Sequence, residues 1–182
     1  MTDYEPGPLC EVACEPAGQR WTLVLTRDFD HPADQVWGLV SDPEQLRQWA
    51  PYTADRPLDH TGAVQLVDNH ASDGPKSPAQ VLLCEPPAVL EHSWEVDVLR
   101  WKLASNGTGT TVMLRHTLDE RHLVPEVVAG WHICLDAAAA LLDGTPFGPV
   151  LGEDAMAYGW RDLAERYAEV LGIYQSPEGL TS

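Results

Sequence analysis

Two histidines lie among apolar residues of predicted strands, where an imidazole could bind a ligand or move a proton. His116 alternates with Val112 and Leu114, and His92 follows Leu90 by two residues. A polar ring in such surroundings needs a hydrogen-bond partner. In a pocket, either ring could bind a ligand oxygen or transfer a proton near neutral pH. The alternative is a core histidine bonded to the backbone or to a buried water. His116 is the one candidate for a catalytic residue.

Seven tryptophans in 182 residues are a second candidate feature, because a flat ligand could stack between indole rings. Four of them fall on faces that the sequence pattern turns inward, where they would line a hollow or else simply fill the core. Tyr52 and His70 are expected at the rim of the same pocket. The predicted ligand-binding residues are therefore Trp49, Tyr52, His70, His92, Trp94, Trp101, Leu114, His116, Trp131 and Leu135.

Composition and motif spacing argue against several other functions. The chain has 11 Lys and Arg against 28 Asp and Glu, a formal net charge of −17, which disfavours nucleic acid and anionic membranes as partners. The histidines lack metal-ligand spacing, and no phosphate-binding glycine loop occurs. We therefore expect no metal, no cofactor and no membrane insertion. Four sparse cysteines and the lack of a signal-peptide pattern indicate the cytoplasm.

The elements that would position these residues follow from periodicity. A strand is predicted over 20–28, and two short helices follow, the second starting at Asp42-Pro43-Glu44. Turn-forming residues then separate five alternating segments, which predicts an antiparallel meander: Ala63–His70, Ala79–Glu85, Val89–Glu95, Val98–Ser105 and Thr110–Leu118. After Pro125 the apolar residues recur at three- and four-residue steps, as in a helix of about five turns.

This order predicts an α+β fold in which a curved antiparallel sheet closes over a long helix. We divide the chain into a flexible leader (1–18), the main domain (19–144), an additional C-terminal helix packed on the domain (145–174) and a tail (175–182). The additional helix could cover the pocket mouth or make a homodimer contact. His132 and Asp136 are expected on the outer, solvated face of the long helix.

Three segments carry a resemblance to a known family: FDHPADQVWGLVSDPEQLRQW, TVMLRHTL and GWHICLDAAAALLDG. They contain Val36-Trp37, Asp42-Pro43-Glu44, His116-Thr117 and Gly130-Trp131. The chain resembles the START-like (SRPBCC, helix-grip) superfamily over about residues 20 to 142. Within it, the chain is similar to bacterial proteins like the C-terminal domain of the activator of heat-shock protein 90 ATPase.

The resemblance implies a fold more specifically than an activity. Some branches of the superfamily bind small apolar or aromatic molecules, some cyclise polyketides, and the eukaryotic branch assists a chaperone. The favoured hypothesis is a binding protein for a small hydrophobic or aromatic ligand in an internal sheet–helix cavity. The alternatives are an aromatase or cyclase that uses His116 in the same cavity, and a chaperone-ATPase-activator-like interaction module.

Overall fold

The computed structural model describes residues 3–174, which form eight strands and four α-helices. The strands are β1 (Glu11–Ala17), β2 (Arg20–Phe29), β3 (Tyr52–Ala54), β4 (Gly62–Asp68), β5 (Lys76–Glu85), β6 (Val89–Trp94), β7 (Asp97–Ser105) and β8 (Thr110–Leu118). The α-helices are α1 (Ala33–Ser41), α2 (Pro43–Leu46), α3 (Val124–Leu142) and α4 (Trp160–Leu171). All eight strands pair antiparallel in one curved sheet, in the order β1-β2-β8-β7-β6-β5-β4-β3. The predicted α+β arrangement is confirmed.

Local sequence signals account for the element ends. The Asp42 side chain accepts a hydrogen bond from the Glu44 backbone N–H at 2.9 Å, and Pro43 begins α2. Between β7 and β8, Asn106 Oδ1 accepts from the Gly109 N–H at 2.8 Å. A Cβ atom on Gly109 would lie 2.0 Å from the Phe29 carbonyl oxygen, so only glycine fits there. Turn chemistry therefore fixes the register of this hairpin.

The core lies between the concave face of the sheet and α3. Alternate positions of each central strand are buried, as predicted: Leu90 and His92 on β6, Leu99, Trp101 and Leu103 on β7, and Val112, Leu114 and His116 on β8. On α3, residues 131 to 138 are all buried. The segment Arg121–Leu142 is long and apolar enough to cross a membrane by length and composition, but 67% of its apolar 18-residue stretch is buried in the protein. Its burial is that of a core helix in a soluble domain.

The first residues form more structure than the expected flexible leader. β1 pairs with β2 along its whole length, from Glu11 opposite Thr26 to Ala17 opposite Arg20. Val12 and Cys14 alternate with exposed residues and pack against the core. The sequence analysis does not predict this strand, because the three prolines and four acidic residues among residues 1–18 conceal a short period-two pattern. The three-residue strand β3 was missed because it is too short to show a period.

The outer face of α3 is covered, which corrects the expectation that His132 and Asp136 are solvated. α4 packs along α3, and its Leu163 and Tyr167 are fully buried. His132 is likewise fully buried, and Asp136 is 9% exposed. The periodicity of α3 places these two residues opposite the sheet, but it carries no information about a second layer. The flanking segments of the chain supply that layer.

A buried polar network joins this layer to α3. Asp136 forms an ion pair with Arg27 of β2, and its Oδ2 accepts from Tyr4 Oη–H at 2.5 Å. His132 Nδ1 lies 2.7 Å from Tyr167 Oη, which also accepts from the Cys10 backbone N–H at 2.8 Å. The N-terminal segment, β2, α3 and α4 are thereby connected through polar side chains.

The network changes the titration of both central groups. Burial alone would lower the pKa of His132, but its contacts with Asp136 and Cys10 raise it to about 9. Burial alone would raise the pKa of Asp136, but contact with His132 and the charge of Arg27 hold it far below its usual range. His132 is therefore charged at neutral pH, as the partner of an ionised Asp136.

We expect the stability of the protein to fall as pH rises from about 6.5 through about 9. The folded pKa of His132 lies above its ordinary value of 6.5, so its contribution is complete below 6.5 and is lost as the folded group deprotonates. The expected loss is about 2 kcal/mol, measured by urea unfolding at closely spaced pH values. His132→Gln should flatten this slope. An unchanged slope in His132→Gln would show that His132 does not hold its proton in this range.

Candidate functional site

A cleft of about 420 Å³ opens between the sheet and the start of α3. Its walls come from the end of β6, the start of β7, β8, α3 and the segment 150–155. Trp160 of α4 closes one side. Its aromatic and aliphatic lining includes Trp94, Trp131, Trp160, Val127, Val150 and Leu151. Its polar lining includes His70, Asp97 and His116. An apolar cleft with few polar groups is the usual form of a small-molecule site.

A two-residue turn places two of the lining residues. Glu95 and Val96 connect β6 to β7, so that Trp94 and Asp97 stand opposite each other in the ladder. Glu95 has a φ of 53°, a conformation that non-glycine residues adopt mainly in tight turns. The turn therefore brings an indole and a carboxylate to the same edge of the cleft.

Asp97, His116 and Trp131 form a hydrogen-bonded chain along the inner wall. Asp97 Oδ2 lies 2.7 Å from His116 Nε2, and the Trp131 indole N–H donates to His116 Nδ1 at 3.1 Å. His116 Nδ1 must then be unprotonated, and Nε2 carries the proton shared with Asp97. Asp97 is held in turn by Arg20, whose Nη2 lies 2.8 Å from Oδ1.

This chain gives His116 a definite role. Both ring nitrogens have protein partners, so the ring orients the Trp131 indole and has no nitrogen free for a ligand in this arrangement. The structure therefore favours the core-histidine interpretation, with side chains instead of backbone or water as the partners. Asp97 was not identified from the sequence, because it lies 19 residues from His116 and the strand pairing alone brings the two together.

His92 and Tyr52 form a separate buried pair behind the cleft. Tyr52 Oη lies 3.1 Å from His92 Nε2, and His92 Nδ1 donates to the Ser93 carbonyl oxygen at 3.0 Å. Burial lowers the pKa of His92 to about 4 and raises that of Tyr52, so both groups are neutral. Tyr52 is 1% exposed, whereas the sequence analysis places it at the rim. The pair satisfies its own polar groups and does not face the cleft.

Three tryptophans occupy the space that the sequence analysis assigns to a ligand. Trp101 meets Trp49 edge-on with ring centroids 5.9 Å apart, and meets Trp131 at 5.5 Å. The Trp49 indole N–H donates to the Leu39 carbonyl oxygen at 2.9 Å. Leu114 and Leu135 are also buried in this core. Over residues 3–174, these rings pack on one another, and the free volume lies further out, at the cleft.

The predicted residues therefore separate into two groups. His70, Trp94, His116 and Trp131 line the cleft, whereas Trp49, Tyr52, His92, Trp101, Leu114 and Leu135 lie outside its lining. The structure adds residues that the sequence analysis did not select, among them Asp97, Gly130 and Trp160. Trp160 gave a helical signal, but its position over the cleft depends on the path of residues 145–159, which has no periodic pattern.

These features define an α+β helix-grip domain of the START-like (SRPBCC) class. The family described as "Activator of Hsp90 ATPase homolog 1-like protein" matches residues 30–143, and the chain belongs to that family. No relative among curated proteins matches the chain.

Solved structures of bacterial proteins share the fold. CalU16 from Micromonospora echinospora, in its crystal structure, is 20% identical with a TM-score of 0.65, covering 88% of this chain and 96% of its own. EF2215 from Enterococcus faecalis, a conserved protein of unknown function, is 14% identical with a TM-score of 0.69. The match covers 91% of this chain and 93% of EF2215. At these identities the similarity establishes the fold alone. Family and fold together support a ligand-binding or cyclase-like domain in general.

Proposed function

We propose that this protein binds a small apolar or aromatic molecule in the cleft between β6, α3 and the segment 150–155. The observation that carries the proposal is a volume of about 420 Å³ bounded by Trp94, Trp131 and Trp160. Flat ligands gain both buried area and ring contacts in such a site. The site lies outward of the internal cavity that the sequence predicts.

The geometry of the indoles supports this proposal. The Trp131 N–H is bonded to His116, and the Trp160 N–H donates to the Glu126 carbonyl oxygen at 3.2 Å. Both rings are therefore fixed before a ligand arrives, which reduces the entropy cost of binding. The formal net charge of −17 favours a neutral ligand over an anion.

A cyclase-like enzyme is the second candidate, and a specific observation favours it. His70 lines the cleft and pairs through Nδ1 with Asp68 at 2.5 Å, so its Nε2 stays available to a substrate. Such pairs are a common basis for proton transfer to a bound substrate. Turnover of a candidate polyketide that survives in His116→Ala and is lost in His70→Ala would assign the base. The chaperone-activator hypothesis rests on the family description alone.

A cytoplasmic location completes the proposal. All four cysteines are free thiols: Cys10, Cys14, Cys84 and Cys134. Unpaired thiols are maintained in a reducing compartment.

Filling the cleft from α3 tests the binding site directly. A Cβ atom on Gly130 would meet no atom within 4 Å, and Gly130 lines the cleft. Gly130→Phe should therefore place a ring in the ligand volume and weaken the binding of neutral aromatic probes about tenfold or more. Stability should be equal or slightly higher, because phenylalanine is a better helix former than glycine. Equilibrium dialysis with 1-naphthol, 1-methoxynaphthalene and anthrone measures the affinity.

A matched control places the same ring elsewhere. Leu82 on β5 is 50% exposed and lies outside the cleft lining, so Leu82→Phe should leave probe affinity unchanged. Two results would contradict the proposed site. The unaltered protein could bind none of the probes, or Gly130→Phe could bind them as tightly as the unaltered protein does.

A further inference from the structure

One imidazole of the cleft has a ring nitrogen that the protein leaves unused. Asp68 Oδ1 lies 2.5 Å from His70 Nδ1 and also accepts from the His70 backbone N–H at 2.7 Å. The carboxylate therefore fixes the proton on Nδ1 and orients the ring. In this tautomer His70 Nε2 is a hydrogen-bond acceptor, and residues 3–174 supply no partner for it.

Gly152 keeps this edge of the imidazole clear. A Cβ atom at position 152 would lie 3.3 Å from His70 Cδ2 and 3.8 Å from Nε2. Gly152 also has a φ of 56°, which other residues rarely adopt. A side chain here would press on Cδ2 and lie in contact with Nε2, so glycine leaves this side of the imidazole uncovered.

The other polar groups of the cleft are already engaged. Asp97 is bound by Arg20 and His116, and both nitrogens of His116 are occupied. Burial raises the pKa of Cys134 to about 12, so this group stays a thiol and is a weak acceptor. Over residues 3–174, His70 Nε2 is therefore the imidazole nitrogen of the cleft that has no hydrogen-bond partner in the protein.

We propose that His70 Nε2 accepts a hydrogen bond from a hydroxyl group on the aromatic ligand. The inference rests on the proposed function and narrows the ligand class to neutral hydroxylated aromatic molecules, such as phenols and naphthols. Trp94 and Trp131, which pack edge-to-face on each other with centroids 6.1 Å apart, offer aromatic contacts on one side of the ligand, and His70 selects its hydroxyl. Asp68 is a positioning residue, because it acts through the imidazole.

A pair of probes with the same ring system isolates this hydrogen bond. 1-Naphthol carries a donor hydroxyl, and 1-methoxynaphthalene carries an ether that donates nothing. Dissociation constants for both are measured by equilibrium dialysis at about pH 8 with the full chain and with His70→Leu. In His70→Leu, the dissociation constant of 1-naphthol should rise about fivefold relative to that of 1-methoxynaphthalene. A change of about fivefold corresponds to the loss of one ordinary hydrogen bond. The affinity for 1-methoxynaphthalene should change little.

Further variants separate a specific role from a structural one. His70→Gln retains an acceptor oxygen and should recover part of the ratio, and Asp68→Asn should shift it by a smaller factor. His60, paired with Asp59 at 2.6 Å, is a similar imidazole outside the cleft lining, so His60→Leu should leave the ratio unchanged.

The outcomes distinguish this inference from the proposed function. Binding of both probes to the full chain, with a ratio that His70→Leu does not alter, overturns the role of His70 and leaves the cleft as the binding site. Failure of both probes to bind overturns the two proposals together.

Discussion

Replacing Asp136 with asparagine is expected to lower the free energy of unfolding by about 3 kcal/mol. The carboxylate is 9% exposed and serves Arg27, Tyr4 and the Gly7 backbone N–H at once. Removing its charge leaves the Arg27 guanidinium without its ion-pair partner, a situation that costs far more than losing an exposed pair. Urea unfolding at about pH 6, followed by circular dichroism, measures the change.

Asp143, which directly follows the last residue of α3, gives the matched comparison. Asp143 is 61% exposed and pairs with His31 at 2.7 Å. Asp143→Asn should cost less than about 1 kcal/mol, as exposed pairs usually do. Equal effects of the two substitutions would mean that the Asp136 network is as well hydrated as the surface.

Trp101→Ala is expected to lower the free energy of unfolding by about 4 kcal/mol. Trp101 is fully buried and packs edge-on against both Trp49 and Trp131. The substitution removes a large apolar surface and leaves a cavity in a closely packed aromatic core. Thermal and urea unfolding measure the loss.

The contrast with Trp94→Ala tests whether the interior is filled or hollow. Trp94 is only partly buried and borders the cleft, so its replacement should cost about 1 to 2 kcal/mol. If Trp101→Ala lowers the free energy of unfolding no more than Trp94→Ala does, the interior is not closely packed. The free space would then extend inward from the cleft, as the sequence predicts.

Alternation in the strands predicted the buried faces well, because a period of two leaves little choice of side. Leu99, Trp101 and Leu103 are all buried, as expected. The same method failed for His132 and Asp136. Amphipathicity shows which face of a helix is less apolar. On α3 that face carries His132 and Asp136, and it is nonetheless buried under α4, which lies outside the predicted main domain.

The site itself was predictable only in part. His116 and Trp131 both line the cleft, since both lie on inward faces of their elements. Whether aromatic rings surround a hollow or pack on one another depends on distances of a few ångströms between strand and helix. Those distances depend on the whole set of core volumes, which no local pattern contains.

The flanks of the chain matter for the size of the folding unit. The family match spans residues 30–143, but β1, β2 and α4 lie outside it. A fragment cut at those limits would lose the strand beside β8 and would expose the Asp136 carboxylate without Tyr4 or Arg27. The portion that the family model matches is thus smaller than the portion that folds. Grafting this domain into another protein requires both flanking segments.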